Sequence, residues 1–393
     1  MFRKITILFL SLVPGAMFAS DFDDVLNTVL SNNLSLKYTE AENSASIAEL
    51  KAENTLEAPE VSFESLWGGT EEAGDKRNFS ISQSFDWPGV YAARRDAIKK
   101  TSAAMQYLRE ASMIETRTEI RVALIDIINV RQRIATTEKI CEGFRTMVEY
   151  FAKAVETGQE TRLDYNKAVI ERINSERELK SLKSEESILL ASLQALNGGK
   201  PVDDIVNKLG DRYPRADVSA LRPDRETLRM KDPAIAASRA SLEAQKSLVK
   251  AEKRALLPGF SVGYLHEWEA GETFNGFSVS VTLPFLTQRR KAKAAAIRLE
   301  AQNLEQEMSL IKLASELQGE YETALGYQEL LREYRGVMDD DSNFELLKKA
   351  LDAGQINFLT YMQELNYFLA ARRDFLDIHY RYHLALARLQ RYE

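Results

Sequence analysis

NFSISQSFDWPG, residues 78–89, is the stretch on which the fold turns. From Phe79 to Phe85 the apolar side chains Phe79, Ile81 and Phe85 alternate with Ser80, Ser82 and Ser84, and only Gln83 interrupts the apolar side. A period of two marks a strand with one apolar face. Nearly everything around it reads as long, charged helix. The stretch therefore predicts a small sheet, apolar on one face and hydroxyl-bearing on the other, inside a mainly helical chain.

The stretch has an echo. GFSVSVTL (276–283) repeats NFSISQSF (78–85), with Phe277 matching Phe79 at an offset of 198. Upstream, residues 32–63 resemble residues 231–262: Asn33 aligns with Asp232, Leu36 with Ile235 and Pro59 with Pro258, all at an offset of 199. Downstream, ETGQETRLDY (156–165) recurs as DAGQINFLTY (352–361), with Gly354 matching Gly158 at an offset of 196. Each half thus reads helix, strand, loop, strand, long helix, turn, helix, and a repeat of this length sets the fold.

The strands are expected at about 59–66, 78–86, 258–266 and 276–284, joined by the loops WGGTEEAGDKR (67–77) and EWEAGETFN (267–275). Eight or nine residues approaches what a tilted membrane strand needs. Trp67 and Trp268 stand at the loop end and Trp87 at the opposite end, as in the aromatic belts of membrane interfaces. Val90–Thr157 and Leu286–Ala353 are each 68 residues without proline, which as single helices would reach roughly 100 Å. Cys141, Val148 and Val155 recur every seven residues with Phe144 and Phe151 between them, and Val337, Phe344 and Leu351 do so with Leu347 between. These are heptad seams, and Cys141 reads as a packed seam residue. Gly158 and Gly354 suit the left-handed position that ends a helix. Helices of about 37 residues follow at 160–196 and 356–392.

Residues 1–20 carry Arg3 and Lys4, an apolar run Ile5–Val13 and small residues near Ala19, the pattern of a secretory signal peptide. The expected organisation is then a first repeat at 21–196 with a tip turn at 157–160, a mid-height linker at 197–231, and a second repeat at 232–393 with a tip turn at 353–356. The half-length helices 160–196 and 232–257 would stack end to end beside the long ones, placing the strands at one end and both glycine turns at the other. The formal net charge is −7, and −9 without Arg3 and Lys4, which leaves no electrostatic footprint for nucleic acid. Cys141 is the single cysteine, so no intramolecular disulfide forms, and none sits at the leader boundary to take a lipid.

Enzyme chemistry finds no constellation. His379 and His383 lie four apart in HYRYH, but Tyr380 occupies the place where a zinc helix would carry glutamate. There is no phosphate-cradling glycine loop, no GxSxG and no methionine cluster. No cofactor and no metal site is expected.

Four strands cannot close a barrel, and lipid tolerates no open sheet edge. If the strands span a membrane, several chains must pool them: eight strands fill with side chains, while twelve begin to leave a lumen. Ser80, Ser82, Ser84, Ser278, Ser280 and Thr282 would line that lumen, and Phe79, Ile81, Phe85, Phe277, Val279, Val281 and Leu283 would face lipid. The alternative is a soluble periplasmic coiled-coil adaptor or scaffold with hairpin caps, although such a protein would show one helical hairpin and more β structure.

The duplicated landmarks and the turns VETGQETRLDY and LDAGQINFLTY make the whole mature chain resemble the TolC family of outer-membrane efflux proteins. The resemblance implies a trimer whose twelve-stranded β-barrel in outer-membrane lipid is continued by a long α-helical barrel in the periplasm. It also implies partnership with a periplasmic adaptor and an inner-membrane transporter. The tips that meet the adaptor would be Thr157, Gly158, Gln159, Ala353, Gly354 and Gln355. Some relatives carry two aspartates past the tip glycine that ring the periplasmic aperture. The matching positions here are the neutral Thr360 and Gln363, with Asp164 as the acidic alternative in the first repeat, or else as an ordinary solvated helix carboxylate.

Overall fold

The computed structural model describes residues 21–68, 74–269, 271–338 and 342–392. The leader read at 1–20 and the centre of the first loop, 69–73, lie outside the described residues. In chain order the elements are α1 (Asp21–Asn32), α2 (Leu34–Glu53), β1 (Glu60–Trp67), β2 (Asp75–Phe85), α3 (Pro88–Glu156), α4 (Arg162–Leu196), α5 (Asp203–Val206), α6 (Arg225–Lys231), α7 (Pro233–Arg254), β3 (Gly259–Glu269), β4 (Glu272–Thr282), α8 (Phe285–Met338), α9 (Ser342–Asp352) and α10 (Phe358–Leu389). A short 3-10 turn, Val218–Leu221, precedes α6.

Residues group into two units, and each draws on both sequence repeats. One contains residues up to Asn33, Glu119–Ala216 and Leu331–Leu384. The other contains Leu34–Thr118, Asp217–Leu330 and the residues from Ala385.

In the first unit α3, α4, α9 and α10 meet around Phe144, Met147, Phe151, Ala168, Tyr361, Leu365 and Leu369. Leu347 and Leu351 of the second seam pack against this core, while the side chains of Val337 and Phe344 lie outside the described residues. Along α3 the covered positions 137, 141, 144, 147, 151 and 154 keep the three-or-four spacing of a helix stripe. Cys141, Phe144 and Phe151 are buried as read, but Met147 and Ala154 take the covered places expected of Val148 and Val155, which are half-buried. A straight helix drifts about 20° per heptad relative to a strict seven-residue repeat, so a core fed by several helices captures the preceding residue. Nearer the start of this unit's stretch of α3, Ile120, Leu124, Ile125, Ile127, Ile128 and Val130 are all covered, a band too broad for one neighbouring helix.

The second unit holds one sheet, in the order β1-β2-β3-β4, antiparallel throughout. The strands of the two repeats therefore fuse at the β2–β3 pairing. Pro88 opens α3 directly after β2, where its fixed φ suits a first helical turn. Arg94 binds Asp86 at 2.8 Å and Tyr91 Oη accepts the Asp86 amide at 2.9 Å, which ties the strand end to the helix. Asp232 is wholly buried at the start of α7. It accepts from the amides of Ala234 and Ile235, from Tyr392 Oη at 2.9 Å and from Arg391 at 3.4 Å, so the buried carboxylate is fully partnered.

Three expectations change. β2, β3 and β4 each run eleven residues, longer than read, because the charged stretches taken for loop continue the ladder. Lys76 pairs with Glu267 and Glu269 across β2 and β3, so charge at these strand ends stabilises pairing rather than marking a turn. The stretch expected as one helix from Leu286 to Ala353 consists of α8 and α9, with 339–341 outside the described residues. The linker read as irregular contains α5 and α6; Asp224 caps α6 by accepting the Thr227 amide at 2.8 Å.

Gly263 marks the tightest point of the sheet. A Cβ there would meet Ser278 Oγ at 2.7 Å, the Ile81 carbonyl at 2.9 Å and Ser82 Cβ at 3.1 Å. Gly263→Ala is expected to destabilise the sheet by about 1–3 kcal/mol. Gly276→Ala, with nothing within 4 Å, is expected to be near neutral. Thermal unfolding followed by β-sheet circular dichroism separates the two.

Candidate functional site

In the sheet, register sorts side chains by chemistry. Ser62 faces Ser80, Ser82 faces Gly263, Gly263 faces Ser278, and Ser84 faces Ser261, which faces Ser280. Ser62 and Ser80 share a hydrogen bond of 2.8 Å, and Ser261 and Ser280 one of 2.5 Å. The predicted set Ser80, Ser82, Ser84, Ser278, Ser280 and Thr282 thus lies on one face of one sheet. On the other face Val61 faces Ile81, Phe63 faces Phe79, Phe85 faces Phe260, Val262 faces Val279 and Tyr264 faces Phe277. That apolar face is uncovered: Phe277 is 89% exposed, Val279 74% and Phe63 64%. Three apolar residues, Leu66, Leu265 and Phe274, interrupt the hydroxyl face.

Sequence reasoning missed the charges on the hydroxyl face. Glu60, Glu64, Glu267, Glu269 and Glu272 share it with Lys76, the one cation on that face among the described strand residues. The period of two runs through DKRNF and HEWE, and extending it past the charged residues would have found them.

In the first unit both helical hairpins turn in the same way. Gly158 has φ +73° and Gly354 φ +69°. Gln159 donates its amide to the Ala154 carbonyl at 2.8 Å and Gly158 to Val155 at 3.2 Å. Gln355 repeats this to Ala350 at 2.9 Å and Gly354 to Leu351 at 2.9 Å. These paired bonds are the Schellman closure of a helix end. Thr157, Gly158, Gln159, Ala353, Gly354 and Gln355 are all exposed. The following helices start differently. Thr161 accepts the Asp164 amide at 3.2 Å and donates its hydroxyl to Asp164 Oδ2 at 2.5 Å. At the equivalent place Asn357 Oδ1 accepts from the Thr360 amide at 2.9 Å and hydroxyl at 3.0 Å. Of the aperture candidates, Asp164 and Thr360 therefore serve the first turns of α4 and α10, while Gln363 is exposed on α10. The Thr161 hydroxyl, and after it Lys167, hold the Asp164 carboxyl below its ordinary value.

The histidine pair lies in a packed polar cluster. Tyr213 stacks on His383 at 4.4 Å between ring centroids, and its edge contact to His379 is 4.8 Å. Burial, then the charges of His379 and Arg335, push His383 down to about 3, so it packs as a neutral ring. Tyr380 donates to Asp126 at 2.8 Å, and burial raises that carboxyl. Among the described residues no group of three or more His, Cys, Asp or Glu side chains is placed to hold a metal ion. No described helix is long and apolar enough to cross a membrane.

Two measurements test the tip geometry. The Asp164 carboxyl is expected to titrate below 3.8, its unperturbed value. Because the folded value is lowered, its contribution is complete above that unperturbed value and is lost as pH falls through the folded one. Protection of the first α4 amides should fall with that midpoint, and Thr161→Ala should move the midpoint back up. Gly158→Ala should cost about 1 kcal/mol from the left-handed backbone alone, since nothing lies within 4 Å. Gly143→Ala, in open space inside α3, should instead stabilise by about 1 kcal/mol.

No protein-family model matches the chain. The cobalt-zinc-cadmium resistance protein CzcC of Cupriavidus metallidurans is 24% identical over 219 residues, 53% of this chain. The chain matches 50% of that curated relative's length. Among solved structures, a membrane protein from Pseudomonas aeruginosa superposes with a TM-score of 0.78 at 16% identity, covering 95% of this chain and 92% of that one. The CmeC outer membrane channel of Campylobacter jejuni superposes with a TM-score of 0.73 at 17% identity, covering 94% and 85%. The chain therefore has the fold of the TolC-like outer-membrane channels.

Proposed function

We propose that this chain is the outer-membrane channel of a tripartite efflux system, a passive conduit rather than an enzyme. The observation that carries the reading is the sheet: one face hydroxyl-bearing, the other apolar and uncovered, with β1 and β4 each paired on one side only. Hydrocarbon admits a sheet only if its edges are closed. Three copies would join β4 of one chain to β1 of the next and give about twelve strands, enough for a lumen. The serines would then face water and Phe63, Phe79, Ile81, Phe277 and Val279 lipid. Continuation of the barrel by helices would carry the conduit into the periplasm. The exposed tips Thr157–Gln159 and Ala353–Gln355 would meet a periplasmic adaptor and, through it, an inner-membrane pump. A soluble adaptor reading leaves the apolar face and both sheet edges without a use. For cargo, the carboxylates of the lumen face favour cations, and CzcC is named for resistance to cobalt, zinc and cadmium.

Run unheated in detergent, the protein should migrate as a trimer that heating dissociates. A species that stays monomeric and soluble without detergent would defeat the channel. Gln159→Glu and Gln355→Glu place charge at the tips without touching the glycine backbone. Each should reduce export about tenfold or more while leaving the trimer intact. Cells lacking the gene should become sensitive to zinc, cobalt or cadmium if metal is the cargo.

A further inference from the structure

The apolar face of the sheet changes character toward its loop end. The row Val61, Ile81, Tyr264 and Phe277 carries hydrocarbon and one phenol. The next row, Phe63, Phe79, His266 and Asn275, turns polar on β3 and β4, and the following row is Ser65, Arg77, Trp268 and Thr273. Asn275 Oδ1 accepts from Tyr264 Oη at 2.6 Å and lies 2.6 Å from His266 Nδ1. The His266 ring stands edge-on to Trp268 at 4.0 Å between centroids. Such a step from apolar to polar with tryptophan at the boundary is what a lipid headgroup layer selects.

Around Arg77 and Trp268 of that last row a cavity of about 290 Å³ is lined also by Phe63, Asp75, Glu269 and Gly271. Arg77 is exposed, and its guanidinium makes no hydrogen bond or ion pair with any described residue. Its neighbour Lys76, on the opposite face, is bridged to Glu267 and Glu269. One residue of alternation thus separates an ammonium bridged to two carboxylates from a guanidinium that pairs with none of the described residues, at the border between the apolar and polar rows. A guanidinium presents a planar fork that fits phosphate oxygens, and its methylene stem can lie along hydrocarbon.

We propose that Arg77 binds the phosphate of an anionic lipid headgroup, whose acyl chains run along Phe63, Phe79, Val61 and Ile81. This rests on the membrane-spanning reading of the sheet. Asp75, two residues nearer the loop on the same face, and Glu269 line the cavity beside Arg77, so the phosphate would reach the guanidinium from the side of Phe63. A soluble phosphate gains nothing from the apolar rows, whereas a lipid uses both parts of the site.

The test is lipid retention by the purified oligomer in detergent micelles, counted by native mass spectrometry with lipid A as the probe. The unsubstituted protein should keep lipid A. Arg77→Gln should reduce retention about tenfold or more, the effect of losing a charge-assisted phosphate contact. Lys76→Gln, the same charge change on the other face, should leave retention unchanged, and inorganic phosphate should not displace the lipid. Equal retention with and without Arg77, equal loss in Lys76→Gln, or displacement by inorganic phosphate would each overturn the site. Should Arg77→Gln fail to assemble, Arg77→Lys keeps the charge but not the fork, and unchanged retention there would count against it. A protein that is soluble without detergent defeats the membrane reading. An oligomer that enters bilayers and holds lipid A independently of Arg77 defeats only this inference.

Discussion

The pairing of β2 with β3 is the constraint on which the sheet depends. Ten residue pairs, from Lys76 with Glu269 to Phe85 with Phe260, join strands from different repeats and turn two hairpins into one surface. A slip of one residue would set the serines of β2 on the side of Phe260, Val262 and Tyr264 and mix the two faces. The register is held where space is least, at Gly263, which lets Ser82 and Ser278 close over it. It is also held at the strand ends, where Lys76 pairs with carboxylates of β3. Steric fit in the middle and charge at the end specify the same alignment.

The two hairpin tips show how a duplicated sequence keeps a backbone while exchanging side chains. Gly158 and Gly354 adopt the same left-handed turn with the same pair of hydrogen bonds. After the turn the roles invert. Thr161 works with a carboxylate at Asp164, whereas Asn357 works with a hydroxyl at Thr360. Both arrangements satisfy an orphan amide in the first helical turn, so either is a sufficient cap. The charge difference between the tips is thus permitted by the fold.

Much of this was legible because it is local. Alternation over Phe79–Phe85 and over Phe277–Leu283 announces faces, and a glycine between two helical patterns announces a turn. What was not legible depends on partners distant in sequence. Glu267 and Glu269 look like loop residues until Lys76 is set opposite them from nearly two hundred residues away. Met147 and Ala154 displace Val148 and Val155 from the covered stripe because α4, α9 and α10 jointly decide which side of α3 is inside. The bond between Thr161 and Asp164 was not legible either, since a capping partner three residues away is visible only once the helix start is fixed.

The face of the sheet that is apolar is also the face that the described residues leave exposed. A soluble domain with Phe277, Val279, Val281, Phe63 and Trp67 exposed together would present an adhesive patch beside two open strand edges. Proteins that stay in water blunt such edges with charge, yet on the edge strands β1 and β4 the charges Glu60, Glu64 and Glu272 sit on the hydroxyl face and leave the apolar face of those strands unprotected. Alternation has therefore sorted polarity in a sense opposite to that of a soluble hairpin, whose apolar face would turn to its own helices. The arrangement suits the proposed pair of solvents, water against the serines and carboxylates and hydrocarbon against the phenylalanines. On the proposed membrane-spanning reading, further copies of the same chain would close the free edges of β1 and β4.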